Sequence, residues 1–155
     1  MLVDFLQSGL IISVLATAVR MGTILLLAAL GELIVERAGV LNLSVEGMML
    51  SGAFGGFLGA YYTNSLWLGV LSAIIAGLLV SALFGLLAVI LQIDQTVSGL
   101  TVNIFAAGLT FYLYRTLFPN VGAANIPALK PFSKFQIPYL SDIPIIGNIL
   151  FSQYA

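Results

Sequence analysis

Residues 31–59, with the sequence GELIVERAGVLNLSVEGMMLSGAFGGFLG, decide how this chain folds. Four charged residues, Glu32, Glu36, Arg37 and Glu46, lie within it, and the sequence on both sides is otherwise apolar. A charged side chain at the centre of a bilayer costs roughly 2.5–3.5 kcal/mol. These side chains must therefore lie at a membrane surface or face protein and water inside a bundle. The stretch predicts a helix that ends, a break, and a second helix that begins.

The local chemistry favours a break near residues 38–44. Gly39 can take the left-handed conformation that ends helices, because it has no Cβ to clash. Asn42 or Ser44 can cap the next helix by accepting a free backbone N–H of its first turn. Glu46 then lies in that turn, where the helix dipole favours a negative charge. An ordinary turn at the membrane surface explains the same residues equally well.

The composition identifies the class of protein. Of the 155 residues, 61% are hydrophobic and 7% are charged, whereas soluble domains carry about 25% charged residues. Because so little polar surface cannot cover a soluble globule, we predict an all-α, polytopic helical membrane protein. The net charge of −1 and the lack of a basic run argue against a nucleic-acid partner. Since the chain has no cysteine or histidine, we predict neither catalytic residues nor a metal site.

About five apolar helical segments are predicted, over residues 4–19, 21–36, 44–62, 66–91 and 96–117. A crossing needs about 20 residues, so residues 4–19 either span the membrane or lie along its surface. Residues 119–142 are rich in proline and predict an exposed loop after the last helix.

The charged residues around the break need partners. Glu32 and Glu36 are four residues apart, so they share a helix face and repel each other mildly. Arg37 cannot neutralise that face from the same helix, and we expect its partner on another segment, with Asp94 and Glu46 as candidates. Alternatively, all three charges extend to lipid headgroups.

Small residues recur at every fourth position along the third and fourth segments. In lipid, this spacing lets helix backbones approach closely. We therefore expect these two helices to pack tightly, on each other or on a partner chain. The ridges are Ser51, Gly55 and Gly59; Gly52, Gly56 and Ala60; and Gly69, Ala73, Gly77, Ser81 and Gly85.

A second polar stretch, DQTVSG at residues 94–99, is similar to NLSVEG at residues 42–47 and predicts a second break near residues 92–97. Counting the crossings that follow Gly39 places both breaks on the same face of the membrane. A parallel duplication explains the similarity, as internal repeats do in many transporters, and chance is the alternative.

The fifth segment carries polar side chains at depth, namely Ser98, Thr101 and Asn103. A buried amide without a partner is costly in hydrocarbon. Asn103 must therefore bond a neighbouring helix, the backbone or a passing solute. Interhelical bonding and solute contact both remain open at this point.

Three stretches together resemble one family. GELIVERAGVLNLSVEGMMLSGAF at residues 31–54 resembles the signature of the permease subunits of ATP-driven (ABC) importers for simple sugars and nucleosides. DQTVSGLTVNIFAAGLT at residues 94–110 is similar to the family's second stretch, and IPYLSDIPIIG at residues 137–147 to its extracytoplasmic loop. The resemblance implies a multi-pass protein of the plasma or inner membrane.

The resemblance also implies an orientation. It places the turn at residues 37–42 in the cytoplasm and makes residues 119–142 an extracytoplasmic loop. The excess of Lys and Arg implies the reverse, because Lys and Arg mark cytoplasmic segments and most of them lie on the other side from Arg37. We follow the resemblance, which rests on many positions, whereas the charge count rests on Arg20, Arg115, Lys130 and Lys134.

Partners follow from the resemblance as well. It implies a second permease subunit, cytoplasmic ATP-binding subunits, an extracytoplasmic substrate-binding lipoprotein and surrounding membrane lipids. ATP is expected on the partner subunits, and no cofactor is expected in this chain. Such permeases are longer, with a docking loop for the ATPase in their second half. We therefore expect residues 1–155 to be a single transmembrane domain that forms the N-terminal half of a longer permease, either as a piece of it or as the product of a split gene.

A polyhydroxylated, uncharged solute needs neutral hydrogen-bonding groups along its path. The predicted pathway residues are Asn103, Ser98 and Thr101 at depth, with Gln95 and Asn42 near the inner mouth. We expect Asn103 to contact the solute.

Other classes of protein share some of these features. A channel packed through small residues, or a structural membrane subunit without ATP coupling, is the alternative function. An intramembrane enzyme could use Glu32 and Glu36 as paired carboxylates. No nucleophile–base pair accompanies them in the sequence, so we predict that the protein is not an enzyme.

Overall fold

The computed structural model describes residues 9–119, with side chains from residue 13 onward. Its described part comprises two units, residues 9–30 and residues 31–119. Four helices occur there: α1 (Gly9–Arg37), α2 (Val45–Thr63), α3 (Leu66–Gly85) and α4 (Gln95–Leu117), and a π-helical turn, Leu86–Ile90, follows α3. No strand occurs within residues 9–119, and the all-α prediction is confirmed. Beyond Pro119, the predicted loop at residues 119–142 lies outside the described residues.

The first two predicted helices form one continuous helix, α1. The expected boundary near Arg20 contains no proline and no left-handed residue, and a single glycine at Gly22 costs a helix only about 1 kcal/mol. The hydroxyls of Thr17 and Thr23 donate to carbonyls of the same helix, at 2.8 Å each. Separate segments at residues 4–19 and 21–36 were therefore the wrong division, because nothing in the backbone chemistry stops the helix there.

Three helical stretches are long and apolar enough to cross a membrane: Ser13–Arg37, Leu66–Ile90 and Gln95–Leu117. Their outward side chains are apolar, as lipid contact requires. Ile34, Leu79 and Ile104 are 70%, 68% and 74% exposed, for example. The chain is therefore a multi-pass membrane protein.

The small-residue ridges of α2 and α3 pack against each other, as expected. Asn64 adopts φ 52° at the end of α2, and the two helices run antiparallel from this tight turn. A Cβ added to Gly56 would lie 3.1 Å from the Cβ of Ala73. The hydroxyl of Ser72 also donates to the carbonyl of Gly55, at 2.9 Å. The contact does not reach the end of the α3 ridge, because nothing lies within 4 Å of a Cβ added to Gly85.

The end of α3 departs from the predicted regular helix over residues 66–91. Its last turn widens into the π-helical turn, with the N–H of Leu91 bonded to the carbonyl of Leu86 at 2.9 Å. Gln92 then takes a positive φ of 52°, which stops the helix. A π-turn accommodates one extra residue, and the core cluster of Phe84, Ala88 and Val102 spans this region.

Helix α4 runs parallel to α2. At one end, a Cβ added to Gly99 would lie 2.7 Å from the Cβ of Leu43. At the other end, the rings of Tyr61 and Phe118 lie 5.3 Å apart. Both helices therefore begin at the same end of the bundle, which confirms that the two breaks share one face.

Candidate functional site

The break between α1 and α2 begins with a glycine-dependent stop. Gly39 has φ +86°, and its N–H bonds to the carbonyl of Glu36 at 2.9 Å. The N–H of Val40 reaches back to the carbonyl of Val35 at 3.3 Å. This pair of bonds is a Schellman motif, in which a left-handed residue satisfies the last carbonyls of a helix. The predicted role of Gly39 is confirmed.

Three side chains from outside the break accept hydrogen bonds from backbone N–H groups of the break and of the first turn of α2. Gln95 Oε1 accepts from the N–H of Leu41 at 2.7 Å, and Glu32 Oε1 accepts from the N–H of Asn42 at 2.8 Å. Asn103 Oδ1 accepts from the N–H of Gly47 at 2.7 Å. These N–H groups lie outside a regular helix or in its first turn, where no carbonyl of the same helix is available to them.

The capping of α2 differs from the prediction. Ser44 is the residue before the first helical position, but its side chain accepts no bond from the first turn. Its N–H and its hydroxyl instead both donate to Asn42 Oδ1, at 3.0 and 2.6 Å. Neither Asn42 nor Ser44 caps the helix, because their side chains bond each other. Asn103, which lies 56 residues after its partner Gly47 in the sequence, accepts the bond that a local cap would accept.

Asn103 bridges two backbone groups of the α2 start. Its Oδ1 accepts from Gly47, and its Nδ2 donates to the carbonyl of Leu43 at 2.7 Å. This is the interhelical bonding that the sequence left open. Whether the same amide also contacts a solute stays a prediction.

The second break is capped locally. Asp94 Oδ1 accepts from the N–H of Val97 at 2.9 Å, so Asp94 is the N-cap of α4. In the sequence similarity between the two breaks, Asp94 corresponds to Asn42. Asn42 lies two residues before the cap position of α2, so the capping geometry is not repeated.

The remaining predicted pathway residues of α4 lie in different surroundings. Ser98 is 2% exposed, and its hydroxyl has no partner within residues 9–119. Thr101 is exposed, and its hydroxyl donates to the carbonyl of Val97 in its own helix at 2.7 Å. Ser98 therefore lies against other helices, and Thr101 faces outward.

The charged residues of the break also separate. Glu32 is half-buried, and its Oε2 is buried without a partner in the part of the chain that the structure describes. Glu36, Arg37 and Glu46 are exposed, and Glu46 lies in the first turn of α2 as predicted.

The expected ion pair of Arg37 is not formed. Within residues 9–119, Arg37 makes no ion pair with Asp94 or Glu46. Asp94 is engaged instead as the cap of α4. The sequence could not predict that this ion pair is absent, because it does not give the distance between Arg37 and the other segments.

A pocket of about 540 Å³ opens beside the break, between Leu41 and the link from α3 to α4. Gln95 lines this pocket and also bonds the N–H of Leu41. Its other lining residues are Ala88, Val89, Gln92, Ile93, Asp94 and Thr96. No group of three acidic side chains able to hold a metal ion occurs within the described residues.

Comparison with known proteins assigns the chain to a family. A family model described as the permease component of the branched-chain amino acid transport system matches residues 14–151. The guanosine ABC transporter permease protein of Bacillus subtilis is 39% identical over 134 residues, covering 83% of this chain and 41% of its own length. No solved structure matches.

Two further relatives agree. A putative glucose ABC transporter permease protein of Haloferax volcanii is 40% identical over 143 residues, covering 91% of this chain and 42% of its own length. A nucleoside ABC transporter permease protein of Lactococcus lactis is 31% identical over 146 residues, covering 90% of this chain and 45% of its own length. The chain thus spans about two fifths of the length of these relatives. These matches agree with the apolar helices and with the break before α2. The chain belongs to the family of ABC-importer permeases that includes the branched-chain amino acid permease components.

Proposed function

We propose that the protein is a permease subunit of an ATP-driven importer for nucleosides or simple sugars, and that this chain forms half of the wall of the translocation pathway. The observation that carries the proposal is the similarity, at 39–40% identity over most of the chain, to permeases named for guanosine and glucose. A pathway wall needs polar groups among apolar helices, and the break supplies them.

The proposal includes partners and an energy source. A second permease subunit completes the pathway, cytoplasmic ATP-binding subunits bind the ATP, and an extracytoplasmic lipoprotein delivers the solute. This chain contributes no cofactor and no chemistry. ATP binding on the partners switches the paired permeases between outward-open and inward-open packings, a two-state change of helix arrangement.

The proposed solute contacts are neutral hydrogen-bonding groups. Ser98 belongs to this set, and its buried hydroxyl lacks a partner in the described part of the chain. A change of helix packing is needed to bring this hydroxyl to the solute. Gln95 lies at the pocket beside the break. Asn42 and Thr101 complete the proposed contacts, although each already makes hydrogen bonds to protein groups. The sequence also predicted Asn103, whose amide oxygen and nitrogen are both bonded to the backbone at the start of α2.

Uptake by the complete importer tests this function. The natural protein is expressed with its partner subunits in cells that lack their own nucleoside and glucose importers, and uptake of labelled guanosine and glucose is measured with and without ATP depletion. ATP-dependent uptake of either solute, inhibited by an excess of the same unlabelled solute, is the expected result. Uptake of neither solute contradicts the proposal. Ion conductance in liposomes that contain this chain alone indicates the channel alternative.

A further inference from the structure

Asn103 differs from the threonines of α4 in the direction of its hydrogen bonds. The hydroxyls of Thr101 and Thr116 return to carbonyls of α4 itself, at 2.7 and 2.9 Å. Asn103 instead uses both ends of its amide on the start of α2. Of the two ends of the amide, only the oxygen can accept a hydrogen bond from an N–H, and only the nitrogen can donate one to a carbonyl. The two bonds therefore fix the orientation of the side chain.

The backbone of α2 is shaped for this contact. A Cβ added to Gly47 would lie 2.8 Å from Asn103 Oδ1 and 3.1 Å from the Cβ of Ala106. One turn earlier, the closeness of Gly99 to Leu43 leaves equally little room, at 2.7 Å. Gly47 and Gly99 thus allow α4 to pack closely against the first turn of α2 and against Leu43 just before it.

No local group can replace Asn103 as the cap of α2. The side chains of Ser44 and Asn42 bond each other, and Glu32 and Gln95 are engaged with the N–H groups of Asn42 and Leu41. Gly47 is buried, and a buried backbone N–H without a partner is costly. The first turn of α2 therefore depends on α4 to keep its shape.

Resting on the proposed function, we propose that Asn103 is a positioning residue of transport. It joins the start of α2 to α4 so that both helices move as one body when the permease changes its packing. The amide hydrogens and lone pairs that make this connection point at backbone, so the loss of Asn103 reduces the rate of transport and leaves the affinity for the solute intact. A direct solute contact has the opposite signature.

The test compares variants in the complete importer. Asn103→Leu keeps the size of the side chain and removes both bonds, and Gly47→Ala disturbs the same contact from the α2 side. Gly108→Ala is the matched control, because nothing lies within 4 Å of a Cβ added there. For both test variants we expect the maximal uptake rate to fall about tenfold, with the half-saturating solute concentration unchanged. The control keeps the wild-type rate.

Hydrogen exchange provides a readout that does not need transport. The amides of residues 43–48 are followed by mass spectrometry in the purified complex. We expect them to exchange about tenfold faster in Asn103→Leu and Gly47→Ala than in wild type or Gly108→Ala. If the wild type transports neither solute, the proposed function fails while this exchange result still tests the connection.

Three outcomes overturn the positioning role. A weaker solute affinity with an unchanged maximal rate makes Asn103 a solute contact. Unchanged transport and exchange in both variants mean that the connection has no functional weight. Loss of the assembled complex from the membrane in both variants assigns Asn103 to folding alone.

Discussion

Gly39 is the single residue whose backbone conformation ends α1. With φ +86°, it occupies a region that costs a residue with a Cβ roughly 1–2 kcal/mol. Gly39→Ala is expected to lower the free energy of unfolding by about that amount, measured by SDS-induced unfolding of the purified protein. Gly108→Ala is the control with the opposite sign, because Ala replaces Gly inside a helix and gains up to about 1 kcal/mol. Equal effects of both changes contradict the assignment.

Glu32 ties the last turns of α1 to the break through one hydrogen bond. Glu32→Leu removes the acceptor for the N–H of Asn42, and a buried unmet N–H costs about 1–3 kcal/mol. The same change removes the buried, unpartnered Oε2 of Glu32, which offsets part of that cost and leaves a net loss at the low end of the range. We expect this loss in the same unfolding measurement. Glu32→Gln keeps a side-chain carbonyl oxygen and should lose less. Glu36→Leu, at an exposed carboxylate one turn away, should change stability little; if it matches Glu32→Leu, the bond to Asn42 has no weight.

At the scale of single residues, the sequence indicated which side chains need partners but not which partners they find. A polar group in an apolar segment must be bonded, so the sequence predicted that Glu32 and Asn103 have partners, whereas Gln95 was predicted only as a pathway residue. Their partners are backbone N–H groups of the break and of the first turn of α2, 10, 54 and 56 residues away. Such pairings depend on how the helices assemble, which no local pattern contains. The expected pairing of Arg37 with Asp94 or Glu46 failed for the same reason.

At the scale of the helices, the contact between α2 and α3 depends on small residues at close approach. In Gly55→Ala, the new methyl meets the Cβ of Ala76 at 2.6 Å, and overpacking of a tight contact costs about 1–3 kcal/mol. Gly77→Ala, on the facing helix α3, is the matched control, since its nearest neighbour is the carbonyl of Met48 at 3.9 Å. Thermal unfolding in detergent should separate the two; equal midpoints contradict the packing.

The helices themselves were largely predictable, because apolar length and small-residue spacing are properties of the sequence. The bounds of α2, α3 and α4 agree with the predicted segments to within a few residues, apart from the π-helical end of α3. A π-turn leaves no distinctive pattern, since Leu86–Ile90 is as apolar as the helix before it. The sequence predicts a division of α1 at Arg20, because a charged residue there is typical of a membrane surface. The helix continues through Arg20, because nothing in the local backbone ends it.

At the scale of the whole chain, the order of helices fixes which loops share a membrane face. Because α2 and α4 begin at one end of the bundle, the α1–α2 break and the α3–α4 link lie on one side, and the α2–α3 turn lies on the other. The resemblance to the permeases places the first side in the cytoplasm. The distribution of Lys and Arg favours the reverse orientation, so a direct measurement is needed.

Residues 1–155 contain no cysteine, so single cysteines introduced there can be labelled with a membrane-impermeant maleimide, and the protein without them gives the background. Ala38→Cys and Ile93→Cys report on the two breaks, and Asn64→Cys reports on the opposite turn. In intact cells we expect labelling of Asn64→Cys alone, and in inside-out vesicles labelling of the other two, because a charged reagent cannot cross the hydrocarbon core. Labelling of Ala38→Cys and Ile93→Cys from opposite sides contradicts the parallel arrangement of α2 and α4. Labelling of both only in intact cells keeps that arrangement, reverses the orientation, and shows that the Lys and Arg count was the better guide.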